Sequence, residues 1–247
     1  MKRLLNWQIL LGISLIVLSA AVYFIHYYIF RDAHHIFLYL IGDIAFVFIE
    51  VLLVTLVLHK LLNLREKKEM LHKLNMVIGA FFSEVGGELL KLFLASDRKH
   101  NEISCQLPID QETFAKDFVK ICNHAKHHQS DINPEVENLE NIKHFLQEKR
   151  QFLLNLLENP NLLEHESFTN LLWAVFHLTE ELAYRKNLRI LPKTDYQHLA
   201  GDIQRAYHLL MIEWLYYTKH LKANYPYLFS LAVKTNPFDS NASIEVV

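Results

Sequence analysis

Three pairs of potential metal ligands stand four residues apart in segments with helical periodicity. They are His177 with Glu181, His198 with Asp202, and Glu84 with Glu88. Residues at i and i+4 lie on the same side of a helix, so each pair can present two ligand atoms to one point. Imidazole nitrogens and carboxylate oxygens both bind divalent transition metals. The spacing therefore predicts a metal centre assembled from three helices.

The ligand count also bears on the kind of metal centre. Two histidines and four carboxylates match the ligands of ferritin-like di-iron bundles, which draw them from four helices with Glu-x-x-His motifs. In this chain the histidine precedes the acid and no such motif accompanies the pairs. A divalent metal or di-iron centre is one hypothesis. The alternative is a structural network of hydrogen bonds, in which Asp202 pairs with Arg205.

Other chemistries lack their motifs. The sequence contains no G-x-S-x-G, no phosphate-binding glycine loop and no H-E-x-x-H, so it assigns no catalytic residue and no certain cofactor. The formal net charge of -2 gives no basic footprint for nucleic acid. The histidines of the polar tract, at 124, 127 and 128, are predicted to be solvated loop residues.

Composition indicates a helical protein with an apolar N-terminal part. Hydrophobic residues make up 51% of the 247 residues, and the excess lies in the first quarter of the chain. The remainder, about 180 residues, is long enough to bury one core. Six glycines and six prolines are few, which favours helices over a turn-rich β fold. Cys105 and Cys122 have no metal-type spacing, which indicates reduced thiols in a cytosolic domain.

The apolar first quarter, residues 1–63, predicts a transmembrane hairpin. Spans over 4–30 and 36–58 each reach the roughly 20 apolar residues that a membrane helix needs. The bases Lys2 and Arg3 precede the first span, and "HKLLNLREKK" follows the second. The positive-inside rule therefore places both termini in the cytoplasm and the short "RDAHH" loop outside. A cleavable signal peptide is the weaker alternative, because the apolar run continues past the small residues at 19–21.

Two acids lie within the second span. Asp43 and Glu50 are seven residues apart, on one stripe of the helix. A carboxylate at mid-bilayer costs about 2.5–3.5 kcal/mol, so both should face protein or water. They could line an ion pathway formed by several subunits, or bond to a neighbouring helix near the interface. Either way the hairpin predicts a homo-oligomer whose interface includes the second span.

The rest of the chain predicts helices that continue from this hairpin. Apolar residues at steps of three and four from Leu71 to Leu92 indicate a coiled-coil or bundle seam, interrupted at Gly86 and Gly87. The predicted fold is all-α, with the hairpin continuous with a cytosolic helical bundle. The predicted segments are a membrane-proximal helix (64–97), a polar His-rich connector with one short helix near 111–125 (98–133), a helical bundle (134–225) and an irregular C-terminal tail (226–247).

Within the bundle, three helical patterns stand out. They cover 134–159, 165–187 and 193–225, and Thr194 or Asp195 can cap the start of the last. On the middle helix, His177 lies opposite the apolar stripe in company with Trp173 and Tyr184. Two large aromatic residues on that face predict that it is covered.

Several blocks resemble an uncharacterised family of bacterial and archaeal two-pass membrane proteins with a cytosolic helical domain. The blocks are "LNMVIGAFFSEVG", "LLENPNLLEHESFTNLLWAVFHLTEEL", "HLAGDIQRAYHLL" and "YPYLFSLAVKTNPF". With the hairpin they cover most of the chain. The resemblance implies the architecture and a prokaryotic plasma (inner) membrane location, but no mechanism and no catalytic residue.

The sequence leaves three functions open. The first is a membrane-anchored, homo-oligomeric interaction or scaffold module, bound to the lipid bilayer and to a membrane or cytosolic protein. The second is an oligomeric ion channel or ion pathway lined by the second span. The third is a metal-dependent helical-bundle enzyme. The residues do not decide whether the protein is an enzyme.

Overall fold

The fold is helical, as predicted. Regular secondary structure is α, π or 3-10 helix throughout the described residues, apart from one isolated antiparallel bridge between Asp97 and Ile132. The all-α class is therefore confirmed. The structure is a computed structural model and describes residues 2–107, 109, 114–162, 165–239 and 242–245.

The first of two compact units, Met1–Lys67, contains two helices that are long and apolar enough to cross a membrane. Helix α1 spans Lys2–Phe30, and α2 spans Ala33–Phe81 without a break after the second apolar run. Asp32 Oδ1 accepts a hydrogen bond from the backbone N–H of His34 (2.9 Å), which caps the start of α2. Most of the apolar side chains described in this unit are exposed.

The second unit, Lys68–Val247, is a helical bundle built around α8. Helices α3, α5, α7 and α9 pack against α8, and α6 packs against α7. The helices of this unit that follow α2 are α3 (Gly87–Leu94), α4 (His100–Gln106), α5 (Phe114–His127), α6 (Val136–Leu157), α7 (Glu166–Tyr184), α8 (Lys193–Asn224) and α9 (Pro226–Lys234).

The apolar stripes read from the sequence form the core of this unit. Helix α7 buries the apolar stripe opposite His177, which consists of Phe168, Leu171, Leu172, Val175, Leu178 and Leu182. The seam of the membrane-proximal helix is buried from Leu74 to Leu89, whereas Leu71 is exposed. Its residues belong to the same core cluster as those of α7 and α8. The seam is therefore a bundle seam within the chain's own unit.

A single π-helical turn, Phe82–Gly86, interrupts the path from α2 to α3. Gly86 has an ordinary helical φ of -63°, so conformational freedom is not what it contributes. A Cβ at this position would lie 2.6 Å from Phe82 Cδ1 and 2.9 Å from Phe81 Cε1. The absence of a side chain thus lets two aromatic rings of the core pack against the helix backbone.

Two predicted segments need correction. The tail predicted to be irregular from residue 226 begins with α9, because Pro226 is tolerated in a first helical turn and Phe229 is buried in the core. The connector predicted to hold one short helix holds two, α4 and α5. Ile103 is buried in α4, and Phe114 and Phe118 are buried in α5.

Candidate metal centre

Helices α7 and α8 form an antiparallel hairpin that positions the candidate ligands. Three contacts fix its register: Arg185 with Asp195 at 2.6 Å, Glu181 with His198 at 3.7 Å, and His177 with Asp202 at 3.6 Å. Each step of four residues along α7 corresponds to three or four residues back along α8. The register thus brings two ligand pairs, each on its own helix, face to face.

Three potential ligand atoms converge across this hairpin. One ligand atom from each of His177, His198 and Asp202 lies within 4.8 Å of the other two. Asp202 Oδ2 is 3.3 Å from His198 Nε2 and 3.6 Å from His177 Nε2. A tetrahedral ion with ligands at 2.0–2.1 Å holds its ligand atoms about 3.3 Å apart. The cluster is therefore close to the size that one metal ion requires.

The burial of Asp202 distinguishes it from a surface ion pair. Its side chain is 3% exposed, and Oδ2 is buried without a hydrogen-bond partner among the described residues. A buried carboxylate oxygen without a partner is unfavourable by about 1–3 kcal/mol or more. The two imidazoles beside it are 46% and 52% exposed. The arrangement offers a desolvated anionic ligand at the bottom of a cluster that is open to solvent above.

Glu181 lies beside the cluster but is held by another partner. Its carboxylate accepts a hydrogen bond from Arg185 Nη1 (2.5 Å), and the pKa of Glu181 is lowered, chiefly by this hydrogen bond. Its oxygens lie 4.0 Å from His177 Nε2 and 3.7 Å from His198 Nε2. Asp195 also accepts a hydrogen bond from Arg185 and so joins the ends of α7 and α8. No side chain caps the start of α8, in contrast to the prediction for Thr194 or Asp195. Glu181 is a neighbour of the three-residue cluster.

The third predicted pair lies elsewhere. Glu84 forms an ion pair with Lys149 (3.1 Å), and Glu88 forms one with Lys91 (3.4 Å). Neither belongs to the group of converging ligand atoms. The structure thus brings together three of the six predicted ligands, with a fourth beside them, and the set is too small for a di-iron centre with four carboxylates.

The solvent side of the cluster differs from expectation. Trp173 and Tyr184, predicted to lie on a covered face together with His177, are both exposed on α7. The part of the chain that the structure describes leaves this face open. A ligand could therefore reach the imidazoles without any displacement of the bundle.

The sequence analysis did not predict a buried histidine–aspartate pair. His128 was predicted to be a solvated loop residue, yet its Nε2 lies 2.7 Å from Asp97 Oδ2 and both side chains are buried. Asp97 Oδ1 also accepts from the backbone N–H groups of Lys99 and Asp131. A cavity of about 530 Å³ lies beside this pair, lined by residues that include Ser96, Asp97 and Asn138. No local spacing signals the pair, because its members are 31 residues apart.

The two acids of the second apolar run are a separate candidate in the first unit. Asp43 and Glu50 are exposed on α2. Neither forms an ion pair or hydrogen bond with another residue whose side chain the structure describes. The described part of this unit therefore neither buries their carboxylates nor supplies them with a polar partner.

Comparisons with known proteins match both units. A family model described as "MJ1433, N-terminal helical domain" matches residues 2–62, and one described as "Uncharacterized protein MJ1433, C-terminal helical domain" matches residues 70–234. The uncharacterised protein MJ1433 of Methanocaldococcus jannaschii is 48% identical over 239 residues, covering 97% of this chain and 96% of that protein. No solved structure matches the chain.

Proposed function

The chain belongs to the MJ1433 family, and we propose that it is a membrane-anchored protein whose C-terminal helical domain binds one divalent transition-metal ion. The ligands are His177, His198 and Asp202. The observation that carries the proposal is Asp202 Oδ2, a buried carboxylate oxygen that lacks a hydrogen bond and faces two imidazole nitrogens. A cation at this point would satisfy all three atoms.

The donor set fits a centre that acts on a bound ligand. Two histidines and one carboxylate leave coordination positions open, as in catalytic zinc sites and non-haem iron(II) sites. When bound, such a metal supplies a Lewis acid that polarises a ligand or acidifies a water molecule. In this proposal the side chains of His177, His198 and Asp202 hold the ion. Arg185 donates a hydrogen bond to Glu181, which stays beside the imidazoles and is not a ligand.

Metal content tests the proposal. The full chain is purified in mild detergent, stripped with a chelator, reloaded with Zn²⁺ or Fe²⁺ and assayed by elemental analysis. We expect one metal ion per chain. His177→Ala and Asp202→Asn should each lower the metal affinity more than tenfold, since losses of 10–100-fold are typical even for outer-shell changes. His144→Ala, which removes an exposed histidine of α6, is the matched control. Equal metal content in all four proteins would refute the site.

The membrane anchor is the second element of the proposal. Two helices are long and apolar enough to cross a bilayer, and their apolar side chains are exposed. The location that we propose is a prokaryotic plasma membrane. The bases that flank the two spans favour cytoplasmic termini, with residues 31–35 outside.

A homo-oligomer formed through α2 is favoured by the intramembrane acids. Asp43 and Glu50 lack a described partner, and carboxylates in a bilayer need protein or water around them. Association of second spans would shelter them, either as an interaction scaffold or around an ion pathway. The measurement is the mass of the protein in detergent and in nanodiscs, where we expect an oligomer that Glu50→Leu weakens. A monodisperse monomer in both would count decisively against this.

A further inference from the structure

The side of the candidate metal centre that faces solvent contains an unfilled position. Gly201 lies on α8 between His198 and Asp202, and it is exposed. A Cβ built there would meet no atom within 4 Å. The missing side chain therefore leaves open space on α8 beside two of the proposed ligands.

One arginine beside this space has guanidinium N–H donors that form no hydrogen bond with a described residue. Arg205 is 62% exposed, and its Nη1 lies 3.5 Å from Asp202 Oδ1. This ion pair is not a hydrogen bond, and Arg205 forms none with the other residues that the structure describes. Three other arginines on or beside this hairpin do form hydrogen bonds to carboxylates. They are Arg150 to Glu180 at 2.8 Å, Arg185 to Asp195 at 2.6 Å and Arg189 to Glu140 at 2.9 Å. Arg205 thus keeps its guanidinium fork available to an external acceptor.

The charges around the space are unbalanced once the centre is loaded. A divalent ion and Arg205 supply three positive charges, and Asp202 supplies one negative charge. Arg185 shares its one positive charge between Glu181 and Asp195, so these three side chains together add one negative charge. The remaining excess of one positive charge favours an anion. A guanidinium fork and an open metal position both favour phosphate oxygens.

We propose that the loaded centre binds a phosphate group, with one oxygen on the metal ion and another accepting hydrogen bonds from Arg205 above Gly201. This inference rests on the proposed metal centre. The group could be inorganic phosphate or the head of a phosphomonoester, since both present the same dianionic oxygens. Arg205 is then a binding residue for the ligand and takes no part in holding the metal.

The test uses the full chain in detergent loaded with Co²⁺, whose visible absorption reports its coordination. Inorganic phosphate, glycerol 3-phosphate and acetate are titrated separately. We expect a saturable spectral change with phosphate or with the monoester, the tighter of the two identifying the source, and a weaker response to acetate. Arg205→Gln should weaken phosphate binding about tenfold or more, as expected for loss of a charge-assisted hydrogen bond. Because Arg205 also forms an ion pair with the proposed ligand Asp202, cobalt affinity is measured separately, and we expect it to change less than the phosphate affinity.

Two further variants sharpen the result. Gly201→Leu fills the open position and should block phosphate while cobalt still binds. Arg189→Gln removes an exposed guanidinium from the same hairpin and should leave the phosphate response intact. The anion site alone would be overturned if the cobalt spectrum were normal but did not change with either phosphate compound. It would also be overturned if Arg205→Gln bound phosphate as tightly as the unaltered chain. If no cobalt binds to the unaltered chain, the metal centre itself is refuted and the anion site with it.

Discussion

Asp97 and Asp202 are the aspartates that the described part of the bundle buries. Asp97 is fully satisfied, with acceptor bonds from two backbone N–H groups and a 2.7 Å contact to His128. Asp202 Oδ2 has no hydrogen bond to a residue that the structure describes, although it lies 3.3 Å from His198 Nε2 and 3.6 Å from His177 Nε2. The first carboxylate is therefore better compensated for its burial than the second.

Substitution of these two aspartates should therefore give unequal losses of stability. In metal-free protein we expect Asp97→Ala to lower the free energy of unfolding by about 3 kcal/mol, because it breaks a buried pair. We expect Asp202→Ala to change it by less than about 1 kcal/mol, because its carboxylate is poorly compensated. Denaturant unfolding of the chelator-treated chain measures both. Similar losses at the two positions would contradict the distinction between them.

The pH dependence of stability should follow Asp97. Burial opposes ionisation of this carboxyl, but hydrogen bonds from His128, Lys99 and Asp131 outweigh burial and hold its pKa below the ordinary value of 3.8. The stabilisation is fully present above the unfolded pKa and is lost as the pH falls through the lower, folded pKa. The thermal midpoint should drop below about pH 4, and Asp97→Asn should make that drop shallower. Parallel curves for the two proteins would exclude Asp97 as the cause.

At the scale of elements, sequence spacing identified the candidate ligands but did not predict how they come together. The i, i+4 pairs on α7 and α8 could be read directly, since both members of a pair lie on one helix face. Which faces meet depends on the register of the hairpin, and contacts such as the bridge from Arg185 to Glu181 and Asp195 cannot be read from spacing within one helix. The same limit applies to Glu84 in the π-turn and Glu88 in α3, which form ion pairs with Lys149 and Lys91.

Arg185 should consequently control metal affinity without touching the ion. Arg185→Ala removes its bonds to Asp195 and Glu181 and loosens the end of the hairpin nearest His198. We expect Zn²⁺ affinity to fall about tenfold, the lower end of typical effects for outer-shell residues. A competition titration with a chromophoric chelator measures it. Arg189→Ala, which removes a surface pair with Glu140, is the control and should have no effect.

Two helical glycines should respond to alanine with opposite signs. Gly86→Ala would place a Cβ within 3 Å of Phe82 and Phe81, and we expect a loss of about 1–3 kcal/mol from overpacking. Gly201→Ala meets open space in the interior of α8 and should gain about 0.5–1 kcal/mol. Thermal unfolding of the two variants decides the matter. A stabilised Gly86→Ala would show that the close packing around it is not needed.

At the scale of the whole molecule, the two units differ in the exposure of their apolar residues. Most of those described in Met1–Lys67 are exposed, whereas most of those described in Lys68–Val247 belong to one core cluster. Composition alone revealed this contrast, because a span needs an unbroken apolar run and a bundle helix needs only a stripe. The arrangement of α4 and α5 and the burial of His128 were not readable, since they depend on contacts between distant segments.

Topology is the corresponding prediction. In a chain with Cys105→Ser and Cys122→Ala, single cysteines are introduced at Ala33 or Ser243. An impermeant thiol reagent applied to intact cells should label the cysteine at position 33 and spare the one at position 243, because the flanking bases hold both termini inside. After permeabilisation both should react, which controls for accessibility. The reverse pattern in intact cells would invert the proposed orientation.

The π-turn at Phe82–Gly86 has a genetic consequence. Its i→i+5 bonds enclose one residue more than an α-helical turn does. One surplus residue can therefore be confined to this turn, while Phe81 before it and Leu89 after it keep their places in the core. The turn marks a position at which the gene can lose one codon without rotating α3 against the bundle. A family member shorter by one residue here should have a continuous α-helix through the same segment.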